Sequence, residues 1–263
     1  MAEAFIQAGE LADALEMLDA HLAANPGDDA ARRWRAAARS RLGGTDNWRA
    51  ALADWDALTD RTAADEVQRS ILLMQLGDRS AAQVALARAH EREPEDERIT
   101  ERYINVLDTA EALALVDTLP KTWGWLKKAG DLAVKAGDHA AAVVHYTAAL
   151  ERLDSLAPLN SFLTNQRALL ALSRANCLFA LERYPEAEAD YAAVIPAFPR
   201  DQWFPFLRGL AVYLGGNEAE GVQLCREAWS NAQADPPAAS LILSRLRDNP
   251  RYMALARALG MIE

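Results

Sequence analysis

At seven places spaced along this chain at a roughly regular interval, a small residue is followed four positions later by a bulkier apolar one. The pairs are Ala14 and Leu18, Ala51 and Trp55, Ala82 and Leu86, Ala112 and Val116, Ala142 and Tyr146, Ala187 and Tyr191, and Gly221 and Cys225. The mean step between pairs is about 34 residues, and self-similarity at such a period restricts a chain to stacked repeats. A four-residue offset returns to the same helix face. Each pair therefore reads as the packing edge of one helix, where the small member lets a neighbour come close and the large one fills the gap. Four of the pairs carry a glycine five residues before the small member: Gly9, Gly77, Gly137 and Gly216, each followed by Glu, Asp or Asn.

Helix-period apolar spacing runs along almost the whole chain, and no alternating strand segment stands out. With the small-large pairs and the Gly-Asp/Glu turns, this pattern resembles the tetratricopeptide repeat, whose unit is two antiparallel helices joined at that turn. The resemblance implies an all-α, right-handed superhelix of about seven helix pairs plus a C-terminal capping pair. It spans roughly residues 3–230. Residues 1–120 are expected to hold the N-terminal repeats, 121–230 the C-terminal repeats and 231–263 the capping helices. The first repeat is clipped, with only residues 1–8 before its Gly9-Glu10 turn, so Leu11, Leu15 and Leu18 are expected at an open edge. Repeat two turns at Gly43-Gly44-Thr45-Asp46, and repeat four is degenerate, its second helix compressed into 109–119 and stopped by Pro120. Repeat five is the fullest copy, with Leu126, Ala129-Gly130, Ala133, Gly137-Asp138, Ala142, Tyr146 and Ala149. Pro236-Pro237 opens a last helix pair, expected at about 238–247 and 250–259.

Composition narrows function. The formal net charge is −10, and an acidic surface repels phosphate backbones and anionic lipid, so neither nucleic acid nor a membrane is an expected partner. No stretch approaches the ~18 uncharged apolar residues of a membrane span. The start, Met1-Ala2-Glu3-Ala4, lacks a basic n-region, and cytosol is the expected compartment. Cys177 and Cys225 both fall on apolar helical positions and are expected to be buried small hydrophobes.

No enzyme is expected. His139 and His145 are six apart rather than the four that place two ligands on one helix face, and the other histidines, His21 and His90, lie in different repeats. No metal or other cofactor is expected. The sequence has no Gly-rich phosphate loop, nucleophile elbow or Cys-x-x-Cys pair. Asp54, Asp56 and Asp60 scatter around a helix and are expected on solvated faces.

The resembled family binds proteins, usually on the concave surface lined by first helices. A protein or peptide partner is therefore implied, and helical phase projects which side chains face it. Repeat three offers Val67, Ile71 and Met74. The expected binding residues lie in repeats five to seven: Lys127 and Lys128, then Asn176 and Phe179, then Trp203, Phe206, Leu210 and Tyr213. Lys127 and Asn176 are compatible with parts of the carboxylate-gripping clamp of some family members. Asp131 and the aromatics of repeat seven depart from that pattern. The segment 203–214 is apolar nearly all round, so it is either an open groove or core covered by the capping pair. Arg32, Arg33, Arg35, Arg39 and Arg41 form a secondary basic patch. They either pair with Asp28, Asp29 and Asp46 on a solvated face or dock an acidic motif. Trp123 and Trp125 are expected at the seam between repeats four and five. A non-catalytic adaptor is the expected role, with two alternatives: a regulatory subunit of an effector enzyme encoded nearby, and a scaffold that self-assembles through its open first repeat.

Overall fold

The computed structural model describes residues 2–234, 236–247 and 252–260, and among these there is no strand. The helices, in chain order, are α1 (Ala2–Ala8), α2 (Leu11–Ala24), α3 (Asp29–Leu42), α4 (Thr45–Asp56), α5 (Ala63–Gln75), α6 (Arg79–Arg92), α7 (Glu97–Val106) and α8 (Thr109–Thr118). They continue with α9 (Trp123–Lys135), α10 (His139–Asp154), α11 (Ser161–Ala180), α12 (Tyr184–Val194), α13 (Trp203–Leu214), α14 (Glu218–Ala232), α15 (Pro236–Arg247) and α16 (Met253–Ala258). Among the described residues, α1 to α6 and α9 to α14 pack as consecutive pairs, followed by the α15–α16 capping pair. Residues 248–251, at the centre of the terminal motif, lie outside the described residues. The chain divides between Ala112 and Leu113, within α8, into two compact units.

Five hairpins close in one way. The N–H of Gly9, Gly77, Gly137, Glu182 or Gly216 donates to the carbonyl three residues back, and the N–H of the following residue donates to the carbonyl five residues before it, at Phe5, Leu73, Ala133, Leu178 and Val212. This closure places the turn residue in the left-handed region, with φ of +82° at Gly77 and +80° at Gly137. Glycine adopts that conformation without penalty. Repeat six reaches it without glycine, holding Glu182 at φ +59°. The residue after the turn then starts the next helix: Asp78 accepts from the Ala81 N–H and Asp138 from the Ala141 N–H. A Gly-Asp dipeptide thus ends one helix and caps the following one.

The small-large pairs are all core. Ala14, Ala51, Ala82, Ala142 and Ala187 have no exposed surface, and Leu18, Trp55, Leu86, Tyr146 and Tyr191 are buried beside them. The last pair packs most tightly. A methyl group at Gly221 on α14 would collide with the backbone of Tyr213 on α13, and one at Gly209 on α13 would collide with Cys225 on α14.

In the first unit Ile6 covers α2, so Leu18 is buried and Leu11 and Leu15 are half-buried against the same cluster rather than open. Asp54 and Glu66 are buried too, against the expectation of solvated carboxylates for Asp54. Arginines outside their own helices reach them: Arg35 and Arg39 of α3 hold Asp54, while Arg61, in the loop before α5, bonds Glu66 at 2.9 Å.

Two core clusters of the second unit frame the site. The larger joins α9 to α12 around Tyr146, Leu153, Leu170, Cys177 and Tyr191, with Trp123 and Leu126 packed against it. The other lies under the capping pair, where Ile242, Leu246, Leu255 and Ala256 pack with Phe206, Leu210, Cys225 and Ala228.

Candidate partner-binding site

The first helices of the second unit position the site. In α11 the buried face carries Ala168, Ala171, Ala175 and Leu178, and the stripe beside it presents Leu169, Leu172, Asn176 and Phe179. Leu169 and Asn176 are exposed, and Leu172 and Phe179 half-buried. On α13, Trp203 stacks on Phe206 with ring centroids 6.1 Å apart and planes 10° apart. Between these helices a cleft of about 430 Å³ opens. Its lining includes Leu172, Asn176 and Phe179 from α11, Tyr191 from α12, Trp203, Phe206, Leu207 and Leu210 from α13, and Leu246 and Tyr252 from the capping segment.

The cleft is apolar with one oriented amide. The Tyr191 hydroxyl donates to Asn176 Oδ1 at 2.9 Å, which turns the amide NH2 outward as a donor. Burial pushes the Tyr191 phenol well above its ordinary range, so it stays protonated and keeps donating. Repeat five contains the same device: Tyr146 donates to Asp131 Oδ1 at 2.8 Å, and Asp131 also takes Lys127 Nζ at 2.6 Å. Burial, followed by the Asp131 hydrogen bond, pushes the Tyr146 phenol up as well. In each repeat a second-helix tyrosine reaches through to fix a polar residue fifteen positions earlier on the first helix. Gly130 makes room for it, since a methyl group there would meet the Tyr146 ring at 2.5 Å.

Five of the eight expected binding residues, Asn176, Phe179, Trp203, Phe206 and Leu210, line this one cleft. Phe206 and Leu210 are 0% and 3% exposed, so they form its floor under the capping pair rather than free anchors. Tyr213 is half-buried in the cluster beneath the cap. Lys127 and Lys128 lie on α9, outside the cleft lining. Leu172, Tyr191, Phe204, Leu207, Leu246 and Tyr252 are lining residues not among the expected eight. Leu172 shares the helical phase of Asn176 and Phe179, whereas Tyr191 reaches the cleft only through the packing of α12.

The arginine patch of α3 is internally engaged. Arg33 forks onto Asp65 at 2.9–3.1 Å. Arg35 and Arg39 share Asp54 and Asp19. Arg32 pairs with Asp29 and also bonds the Pro26 carbonyl, and Arg41 donates to the Ile6 carbonyl. Of the expected partners, only Asp29 is used by these arginines: Asp28 caps α3 and takes His21, and Asp46 lies 3.8 Å from Arg49. Long side chains reach past their own helix to carboxylates on α2, α4 and α5. Among the described residues, no group of three or more His, Cys, Asp or Glu could hold a metal ion, and no helix is long and apolar enough to cross a membrane.

Comparison with solved structures gives the fold. The C-terminal part of a TPR repeat-containing protein from Cytophaga hutchinsonii matches with a TM-score of 0.60 at 15% identity, over 97% of each chain. MamA matches with a TM-score of 0.51 at 13% identity, over 65% of this chain and 92% of that one. YrrB, described as a TPR protein with an unusual peptide-binding site, matches with a TM-score of 0.51 at 15% identity, over 76% of this chain and 98% of that one. No protein-family model matches the sequence, and no curated protein matches it. The chain has the all-α tetratricopeptide-repeat fold.

Proposed function

We propose that this chain, with its tetratricopeptide-repeat fold, is a non-catalytic cytosolic adaptor. It holds a segment of a partner protein against the first helices of its second unit. The observation that carries this reading is the cleft between α11 and α13: apolar walls, a closed floor at Phe206 and Leu210, and one pre-oriented amide at Asn176. Such a cleft suits an apolar side chain of the partner, with Asn176 donating to a backbone carbonyl beside it. Desolvated pockets of this kind carry most of the binding energy of an interface. Recognition by shape needs a stiff wall, and the tyrosine-pinned amide with the glycine-packed α13–α14 pair provides one. The description of YrrB as a peptide binder agrees with this use of the fold.

A photo-crosslinking residue placed at Leu172, in the intact chain in its native host, tests the reading. The expected result is a crosslink to one partner protein that competes with the unlabelled chain. A crosslinker at Val144, exposed on α10, serves as the control. Crosslinks from Val144 with none from Leu172 would move the docking site away from the cleft.

A further inference from the structure

We propose that the occupant of this surface is an acidic amphipathic helix of the partner, lying along α11 and ending in the cleft; this rests on the adaptor reading above. The first observation is the length and spacing of α11. It runs for 20 residues, and its partner-facing residues are Phe162, Asn165, Leu169, Leu172, Asn176 and Phe179. The steps between them are three, four, three, four and three, the seam spacing by which one helix packs along another. The seam is about 26 Å long at the rise of an α-helix. Its upper half is uncovered among the described residues, with Phe162 59% and Leu169 39% exposed, while its lower half enters the cleft. An extended peptide advances more than twice as far per residue as a helix, so its side chains would not keep step with these positions. The two asparagines supply polar points that fix register along an apolar seam.

Charge identifies the partner's flank. The chain has four lysines, and all lie between residues 121 and 135 in a protein of net charge −10. Helix α9 carries Lys127, Lys128 and Lys135 against a single Asp131. This basic helix borders α11, since Tyr146 sits between Asp131 on one and Ser173 on the other. The arginines of α11 pair with Asp154 and Asp190; Lys127 pairs with Asp131, and α9 as a whole carries three lysines to one carboxylate along that side. A helix with an apolar seam and carboxylates facing α9 complements both surfaces.

The test uses the intact chain and a fluorescein-labelled 21-residue peptide with Leu at the seam positions of three heptads and Glu at the flanking ones. Two companion peptides accompany it: one with a central proline and one with Lys in place of Glu. Anisotropy titration should show the Glu peptide binding at least about tenfold tighter than either companion. Leu169→Glu, at an exposed position, should weaken it by a similar factor, and Lys135→Glu should weaken it by less while flattening its salt dependence. Equal binding of the proline peptide overturns the helical occupant and leaves the adaptor reading standing. Tighter binding of the Lys peptide overturns the acidic flank. If no probe binds while Leu172 still crosslinks the native partner, the helix inference alone fails. If Leu172 gives no crosslink, the adaptor reading fails with it.

Discussion

Gly221→Ala should destabilise the second unit although alanine is the better helix former. The position lies inside α14, where replacing glycine by alanine in an unobstructed helix would stabilise by about 1 kcal/mol. Here the new methyl would fall onto the backbone N and Cα of Tyr213. A backbone cannot rotate aside as a side chain can, so α13 and α14 must separate. Overpacking of that kind costs up to roughly 3 kcal/mol, leaving a net loss of about 2 kcal/mol once the propensity gain of about 1 kcal/mol is subtracted. For a domain of this size that lowers Tm by roughly 4–8 °C. The companion variant Gly124→Ala tests the sign. At that position the nearest atom to a new methyl is Thr122 Oγ1 at 3.9 Å, so helix propensity acts alone and stability should rise slightly. Thermal melts followed by circular dichroism, with urea titration of both variants, check the pair. A Gly221→Ala protein at least as stable as the parent would refute the close approach of α13 and α14, and with it the register of the last repeat.

Glu182→Gly should raise stability by about 0.5–1 kcal/mol, measured by urea denaturation, because a left-handed residue with a Cβ costs roughly 1–2 kcal/mol; the same change at exposed Glu218 should do the opposite. Desolvation pushes the Asp65 carboxyl up, but Arg33 and the Thr62 hydrogen bonds outweigh it and hold it below its ordinary value. A carboxyl lowered on folding contributes stability above its unfolded pKa of about 4 and loses it as pH falls through the folded one. Acid titration of Asp65→Asn should therefore show a shallower loss of stability below pH ~4 than the parent, and an unchanged slope would count against the Arg33–Asp65 pair. Burial pushes the Cys225 thiol up to about 12, so it should resist a thiol reagent at neutral pH in the native protein and react in denaturant. Rapid labelling of Cys225 under native conditions would contradict the packing beneath the cap.

The repeat register was legible because it depends on short-range rules that each repeat obeys separately. A left-handed glycine followed by Asp, and a small residue four before a large one, leave marks in sequence wherever they occur. Repeat six was still recognisable without its glycine because Ala187 and Tyr191 preserved the rest of the pattern. The inner face of α11 followed in the same way, since helical phase alone places Asn176 and Phe179 together.

The remaining features belong to the tertiary structure. Segment 203–214 is apolar on every side, and composition cannot tell which side a neighbour will cover; the capping pair decided it by burying Phe206 and Leu210 while leaving Trp203 and Leu172 at the cleft wall. The partners of Arg33, Arg35 and Arg39 lie up to 32 residues away, at carboxylates brought near only when helices stack. Tyr191 reads in sequence as a packing residue, and it becomes part of the site because stacking carries its hydroxyl to Asn176. Periodicity along one helix is local and survives in the sequence, whereas the meeting of side chains from different helices depends on how those helices stack.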